Sequence, residues 1–181
     1  DVYHLLIGIV TPRPIAWVTT VDRTGRVNLA PFSFFNAFGA NPPVVVFSPT
    51  LRRDGSKKDT LLNLEETGEF VVNAAVASLA EKVNLTSREI PRGESEVELA
   101  GLTLEPSVKV RPPRVKDSPA HFECKVRQIV PVGDGPIAAN LVIGEVVVLH
   151  VDDAVLDAAG RVDPRKLQTV ARMGGEFWCR T

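Results

Sequence analysis

The chain has 181 residues, enough to close one hydrophobic core, and its 44% hydrophobic and 24% charged side chains are the proportions of an ordinary globular domain. Its formal net charge is −1, so it lacks the clustered cations that nucleic acid or an anionic membrane surface requires. The two cysteines, Cys124 and Cys179, stand far apart with no CxxC pair, which fits a reducing compartment and a cytoplasmic location.

The longest late apolar run, Leu141 to Leu149, is broken by Glu145 and is too short to span a bilayer. The first residues lack the basic and apolar regions of a signal peptide. Asn84-Leu85-Thr86 spells a glycosylation sequon, which reads as chance without a secretion signal. The chain begins at Asp1 rather than Met, so a few preceding residues are expected.

Pro14 to Val21 alternates with period two and predicts a strand. Asp22-Arg23-Thr24-Gly25 is a turn, and Val27 to Leu29 resumes the alternation as the second arm of a hairpin. Pro31 marks an edge or a bulge, because proline has no ladder N–H. Phe32, Phe34, Phe35 and Phe38 follow, and Asn41-Pro42-Pro43 ends the run before a short strand from Val44 to Ser48. Residues 49–58 read as a basic surface loop. Ser56-Lys57-Lys58-Asp59 has the form of a capping box and predicts a helix over about 57–67, stopped by Gly68. Phe70 to Ala74 is a buried strand. Ser78-Leu79-Ala80-Glu81 repeats the capping signature before a helix ending near Ser87, and residues 88–98 form a charged flap. Leu102 to Val110, Ala120 to Val132 and Ile137 to Val151 favour strands, the last two turned by Gly133-Asp134-Gly135. Asp157 to Asp163 is a turn, and Pro164 to Val170 starts a short helix. Many strands with few helices and no regular βαβ alternation predict one mainly-β domain over residues 1–181, a Greek-key-like barrel rather than a doubly wound sheet.

Three segments carry candidate chemistry. Arg52, Arg53, Lys57 and Lys58 surround the predicted helix start, with the Ser56 and Thr60 hydroxyls beside it. Exposed N–H groups and a partial positive charge make such a start an anion site suited to a phosphate. The same residues equally fit a solvated loop with an ordinary cap. The run Phe32-Ser33-Phe34-Phe35-Asn36 could line a flat heteroaromatic ligand. Taken singly its phenylalanines fit a core better, whereas Ser33 and Asn36 call for polar partners. Arg13, stiffened between Pro12 and Pro14, is a second anion candidate, and so is Arg172 in Arg172-Met173-Gly174-Gly175; each fits a solvated arginine as well. His121 and Glu123 share a strand face, but a metal needs a third ligand, and an exposed barrel-wall pair is the expected reading. No GxGxxG, P-loop, GxSxG, HExxH or acid–base set appears.

In their order, Pro12 to Thr20, Asn28 to Asn36, Pro42-Pro43, Phe47-Ser48-Pro49, Lys58-Asp59-Thr60, Glu69 to Asn73, Glu123-Cys124, Gly144-Glu145-Val146 and Val170 to Gly175 resemble the flavin reductase-like, flavoredoxin-type family of FMN-binding split barrels. The resemblance implies a split β-barrel with a Greek-key core and a homodimer whose interface borders the flavin. It implies phosphate contacts at Lys58, Asp59 and Thr60, with Arg13 and Ser48 nearby. The isoalloxazine would lie along Phe32, Ser33, Phe34, Phe35 and Asn36, with Pro14 and Arg172 completing the site. Trp178 stands where the family usually closes the tail with tyrosine. The implied chemistry is hydride transfer from NAD(P)H to FMN, which needs alignment more than an acid–base residue. Reduced flavin then leaves for a partner monooxygenase or passes electrons to another acceptor. Two other readings stay open: an FMN electron-transfer or sensing protein that never meets a pyridine nucleotide, and a ligand-free interaction barrel.

Overall fold

A computed structural model describes residues 1–91 and 93–181. In chain order the elements are α1 (Val2–Ile9), β1 (Arg13–Pro14), β2 (Ala16–Val21), β3 (Val27–Phe32), β4 (Phe35–Ala40), β5 (Pro43–Phe47), α2 (Asp59–Thr67) and β6 (Glu69–Ala74). A 3₁₀ turn (Ala77–Leu79) leads into α3 (Ala80–Leu85), followed by α4 (Glu96–Leu99), β7 (Leu104–Glu105) and β8 (Arg114–Val115). The long strands β9 (Ala120–Val132) and β10 (Ala139–Val151) come next. A second 3₁₀ turn (Asp153–Val155), α5 (Pro164–Leu167), β11 (Val170–Arg172) and β12 (Trp178–Arg180) end the chain.

Seven strands pair antiparallel in the order β3-β2-β6-β9-β10-β5-β4. The outermost two, β3 and β4, are joined by Ser33 and Phe34 alone, and so short a link spans at most about 11 Å. The ladder must therefore roll up until its two edges meet, and the seam falls at those two residues. The mainly-β, Greek-key expectation holds. A second sheet, β1-β11-β12, lies beside the seam.

Because β2 lies inside this assembly it is buried on both faces. Ala16 and Val18 face the barrel interior with Phe32, Phe47, Phe70 and Val142, whereas Ile15 and Trp17 face a second core with Leu29, Val83, Val97 and Val115. Each fully buried side chain of this size stabilises by roughly 1.5–3 kcal/mol. Asn73, buried between these layers, is fully satisfied. Asn73 Nδ2 donates to Trp17 O (3.0 Å) and Thr19 Oγ1 (2.8 Å), and its Oδ1 accepts the Val115 N–H (2.8 Å).

Gly144 marks where β10 bends over Phe70, at a register shift against β9. A Cβ there would stand 2.3 Å from Phe70 Cζ and 2.7 Å from its Cε1. Gly144→Ala should therefore cost about 1–3 kcal/mol through overpacking, and Phe70→Leu in the same chain should recover part of it. Urea melts of the three variants check this, and wild-type stability in Gly144→Ala would refute it.

Several local expectations need correction. The strand expected over 102–110 survives only as β7, because Pro106 ends the ladder and the N–H groups of Val108 and Lys109 turn to the Glu123 carboxylate instead (2.8 and 2.6 Å). His121 and Glu123 are not an exposed wall: both are buried. The helix over 57–67 begins at Asp59, since Lys58 rather than Ser56 occupies the cap and no side chain caps it. Ser78 likewise caps nothing, and the helix expected to Ser87 ends at Leu85. The real capping serine is Ser95, whose Oγ accepts the Glu98 N–H (3.3 Å) and turns the end of the expected 88–98 flap into α4; Arg92, within that flap, lies outside the described residues. The helix at Pro164 is one turn long and stops at Gln168 in the left-handed region (φ 50°).

Candidate functional site

The seam between β3 and β4 is where three cavities meet, and Pro31 and Phe32 line all of them. The main cleft, about 270 Å³, adds Ser33, Phe34, Ser48, Arg52, Arg53, Lys58 and Glu89. A narrow annex of about 80 Å³ continues past Lys58 to Asp59, Thr60 and Glu96. On the other side of Ser33 a cavity of about 220 Å³ is lined by Asn84, Ser87, Arg172 and Trp178.

The basic side of the cleft is built by one loop and one helix start. Ser48 is fixed at the end of β5: its N–H donates to Phe34 O (2.9 Å) and its Oγ accepts the Asn140 N–H (3.1 Å). Leu51 N–H bonds Ala138 O (2.9 Å), so the loop is pinned to the start of β10. There Ile137 lines the cleft in a left-handed conformation (φ 63°), unusual for a β-branched residue and of the kind that collects at functional sites. Arg52 donates to Lys57 O and pairs with Asp59 (3.0 Å).

Among the described residues no side chain caps α2, and its first turn, through Asp59 and Thr60, borders the annex. Thr60 Oγ1 accepts from Asn28 Nδ2 (2.9 Å), which leaves the hydroxyl proton free to be donated. Among the described residues the Lys58 ammonium makes no hydrogen bond or ion pair. Burial holds it below the ordinary lysine value; Glu89 opposes that shift and Arg52 adds to it. Burial raises the Glu96 carboxyl, opposed by the N–H groups of Glu96 and Leu29. The arrangement can accept a compact anion at the helix start with an extended polar or flat group along Pro31 to Phe34.

The expected site residues divide. Ser33, Phe34, Ser48, Lys58, Asp59 and Thr60 line the adjoining cavities at the seam, and Arg172 lines the third. There its guanidinium stacks over Trp178 (5.4 Å to the ring centroid) and donates to Gly175 O (2.8 Å). Phe32 contributes to the wall, but its ring sits in the barrel core, 5.4 Å from Phe47. Arg13 is absent from the three cavities. It is buried behind Ser33, where Nη1 donates to Ile7 O (2.5 Å) and Val10 O (2.7 Å) and Nη2 to Met173 O (3.1 Å). Its guanidinium is thus a backbone clamp rather than a free anion site, because three carbonyls and the Ser33 hydroxyl take four of its five N–H donors. Pro14 and Phe35 line a separate apolar groove of about 590 Å³. Asn36 is exposed on β4, its Oδ1 accepting the Ala37 N–H (2.8 Å). The continuous wall from Phe32 to Asn36 therefore ends at Phe34, where β4 begins and turns the next side chains away.

Arg88 and Glu89, expected only as part of a charged flap, close the annex together with Ser87. The position of this segment follows from a contact 69 residues apart, Trp17 Nε1 donating to Thr86 Oγ1 (2.9 Å). Among the described residues no helix is long and apolar enough to cross a membrane, and no three His, Cys, Asp or Glu side chains are grouped to hold a metal ion.

Residues 9–169 match the family model described as "Flavin reductase like domain". The fold is similar to that of nitrilotriacetate monooxygenase component B from Bacillus cereus, with 38% identity, a TM-score of 0.94, and coverage of 100% of this chain and 90% of that one. It is also similar to the 2-nitrobenzoate 2-nitroreductase NbaA from Pseudomonas fluorescens (36%, TM-score 0.86, 99% and 85% covered). A third likeness is to a split-barrel-domain protein from Shewanella frigidimarina (28%, TM-score 0.86, 98% and 86% covered). The seam-closed sheet is thus a split barrel, and the chain belongs to the flavin reductase-like domain family.

Proposed function

We propose that this chain binds FMN in the cleft at the barrel seam and works, as a homodimer, as an NAD(P)H-dependent flavin reductase. The observation that carries the reading is the convergence of the α2 start, the Lys58 ammonium and the Thr60 hydroxyl, the first two without a side-chain partner among the described residues, on the cavities walled by Pro31, Phe32 and Ser33. These donors fit a phosphomonoester: a helix start, a cation and a hydroxyl around a space too small for a larger group. The neighbouring cavities, walled by Phe34 on one side and Trp178 on the other, fit the flat ring and the ribityl chain.

When bound, FMN supplies the hydride-accepting atom and the electron storage. The residues of the chain hold and orient. Lys58 and the first turn of α2 anchor the phosphate end, and Ser48, fixed by two hydrogen bonds, keeps the loop at its distance from the wall. Trp178 and Arg172 bound the third cavity, from which a nicotinamide could approach the ring. Alignment of this kind is what hydride transfer requires. That the Bacillus cereus relative is, by its name, one component of a monooxygenase supports an oxygenase as the acceptor of reduced flavin.

Titration with FMN and anaerobic mixing with NADH or NADPH test the proposal. The protein should bind FMN and the bound flavin should bleach with one of the two nucleotides. Lys58→Met should weaken FMN roughly ten- to a hundredfold, the size of a lost charge-assisted contact, and leave riboflavin almost unaffected. A loaded protein that stays yellow with both nucleotides refutes the reductase and favours an electron carrier. A protein that takes up no flavin refutes the site.

A further inference from the structure

Glu89 is out of place in a cleft meant for a phosphate. Three cations, Arg52, Arg53 and Lys58, line the main cavity, and among the described residues around it Glu89 is the one carboxylate. It borders the annex as well, again beside Lys58, where the other two carboxylates are Asp59, paired with Arg52, and Glu96. The residue is exposed, and among the described residues its side chain makes no hydrogen bond or ion pair, so packing does not require it there. The segment's approach to the cleft is nevertheless fixed, because Thr86 at its root is buried and bonded to Trp17 Nε1 and Val83 O (both 2.9 Å).

We propose that Glu89 sets the affinity and selectivity of the cleft for phosphorylated flavin, its carboxylate standing in for the phosphate beside Lys58 and opposing that phosphate when it arrives. The inference rests on the proposed FMN site and deepens it. Glu89 acts on Lys58 through space and opposes the effect of burial on its ammonium. A bound phosphomonoester brings up to two negative charges to the same cation, and the carboxylate then repels it through partly screened solvent. A flavin that must depart as a reduced product is served by a cleft with such a built-in opposing charge. Riboflavin has no phosphate, so Glu89 barely affects it. Glu89 touches no reacting atom and acts through Lys58, as a specificity-determining residue.

Fluorescence titrations of FMN and riboflavin with wild type, Glu89→Gln and Glu89→Lys test this. Glu89→Gln should tighten FMN about five- to tenfold at low salt and Glu89→Lys by more, with riboflavin unchanged in both. The gain should shrink as salt is raised from about 0.01 to 0.5 M, because these charges face solvent. If wild type binds FMN but the FMN-to-riboflavin ratio is the same in Glu89→Gln, this inference fails and the site stands. If wild type binds neither flavin, the proposed function falls and takes this inference with it.

Discussion

Glu123→Ala is expected to destabilise the protein by about 3–5 kcal/mol, the cost of breaking a buried charged network at one partner. At this chain length that lowers Tm by on the order of 10 °C. The Glu123 side chain has no exposed surface, and its carboxylate accepts from Val108 N–H (2.8 Å), Lys109 N–H (2.6 Å) and His150 Nε2 (2.7 Å). Removing it orphans two backbone donors in the segment after β7 and one imidazole on β10. Burial alone would raise this carboxyl. The N–H of Val108 and His150, then Lys109, outweigh it and hold the group below its ordinary value of 4.5. The sign follows. Protons bind the unfolded glutamate more readily than the folded one, so its contribution is complete above about pH 4.5 and fades as pH falls through the lower folded value. Thermal melts of wild type and Glu123→Ala at pH 7 and at pH 3.5 measure this, and the gap between them should narrow in acid. A gap of equal size at both pH values would show that packing, not the charge, stabilises this strand.

Arg13→Ala should cost on the order of 3 kcal/mol, because a buried guanidinium hydrogen bond is worth about 1.5–3 kcal/mol and several are lost together without adding fully. Burial, and then Arg172 opposite it on β11, hold the guanidinium below its ordinary value, yet its partners are three carbonyls and the Ser33 hydroxyl (3.4 Å). One side chain thus ties α1, the turn at Met173 and the cleft wall together. Arg13→Lys should rescue little, since a single ammonium cannot reproduce the fork that reaches Ile7, Val10 and Met173 at once. Hydrogen exchange should report lost protection in residues 2–10 and 173–177 with the barrel strands unchanged. Unaltered exchange over 2–10 would mean that α1 is held by something else.

What could be read from the residues follows from how locally each feature is specified. The hairpin of β2 and β3 and the long hairpin of β9 and β10 are legible because alternation and turn glycines act within a few residues. The stop of α2 at Gly68, left-handed at φ 67°, is legible for the same reason. The Ser56–Asp59 capping pattern misleads because Asp59 is drawn to Arg52 instead. Arg13 and Glu123 look like surface groups in sequence, since nothing nearby announces the Met173 carbonyl 160 residues from Arg13 or the backbone N–H groups that bind the Glu123 carboxylate. Of the candidate site, the basic loop and Ser33–Phe34 are visible from composition. Glu89 and the departure of Phe35 and Asn36 depend on where the sheet closes, which only the paired strands decide.

The two-residue seam also governs when the cleft can come into being. Its walls draw on Tyr3, the loop after β5, the segment after α3, Ile137 and Trp178, and the loop is secured only when β5 pairs with β10, about a hundred residues further along. Contacts so distant in sequence close slowly and late. A nascent chain that has emerged only as far as α3 carries the main cleft's basic residues, Arg52, Arg53 and Lys58, but no receptacle, so the ligand cannot act as a template for its early folding and can only lock the completed barrel.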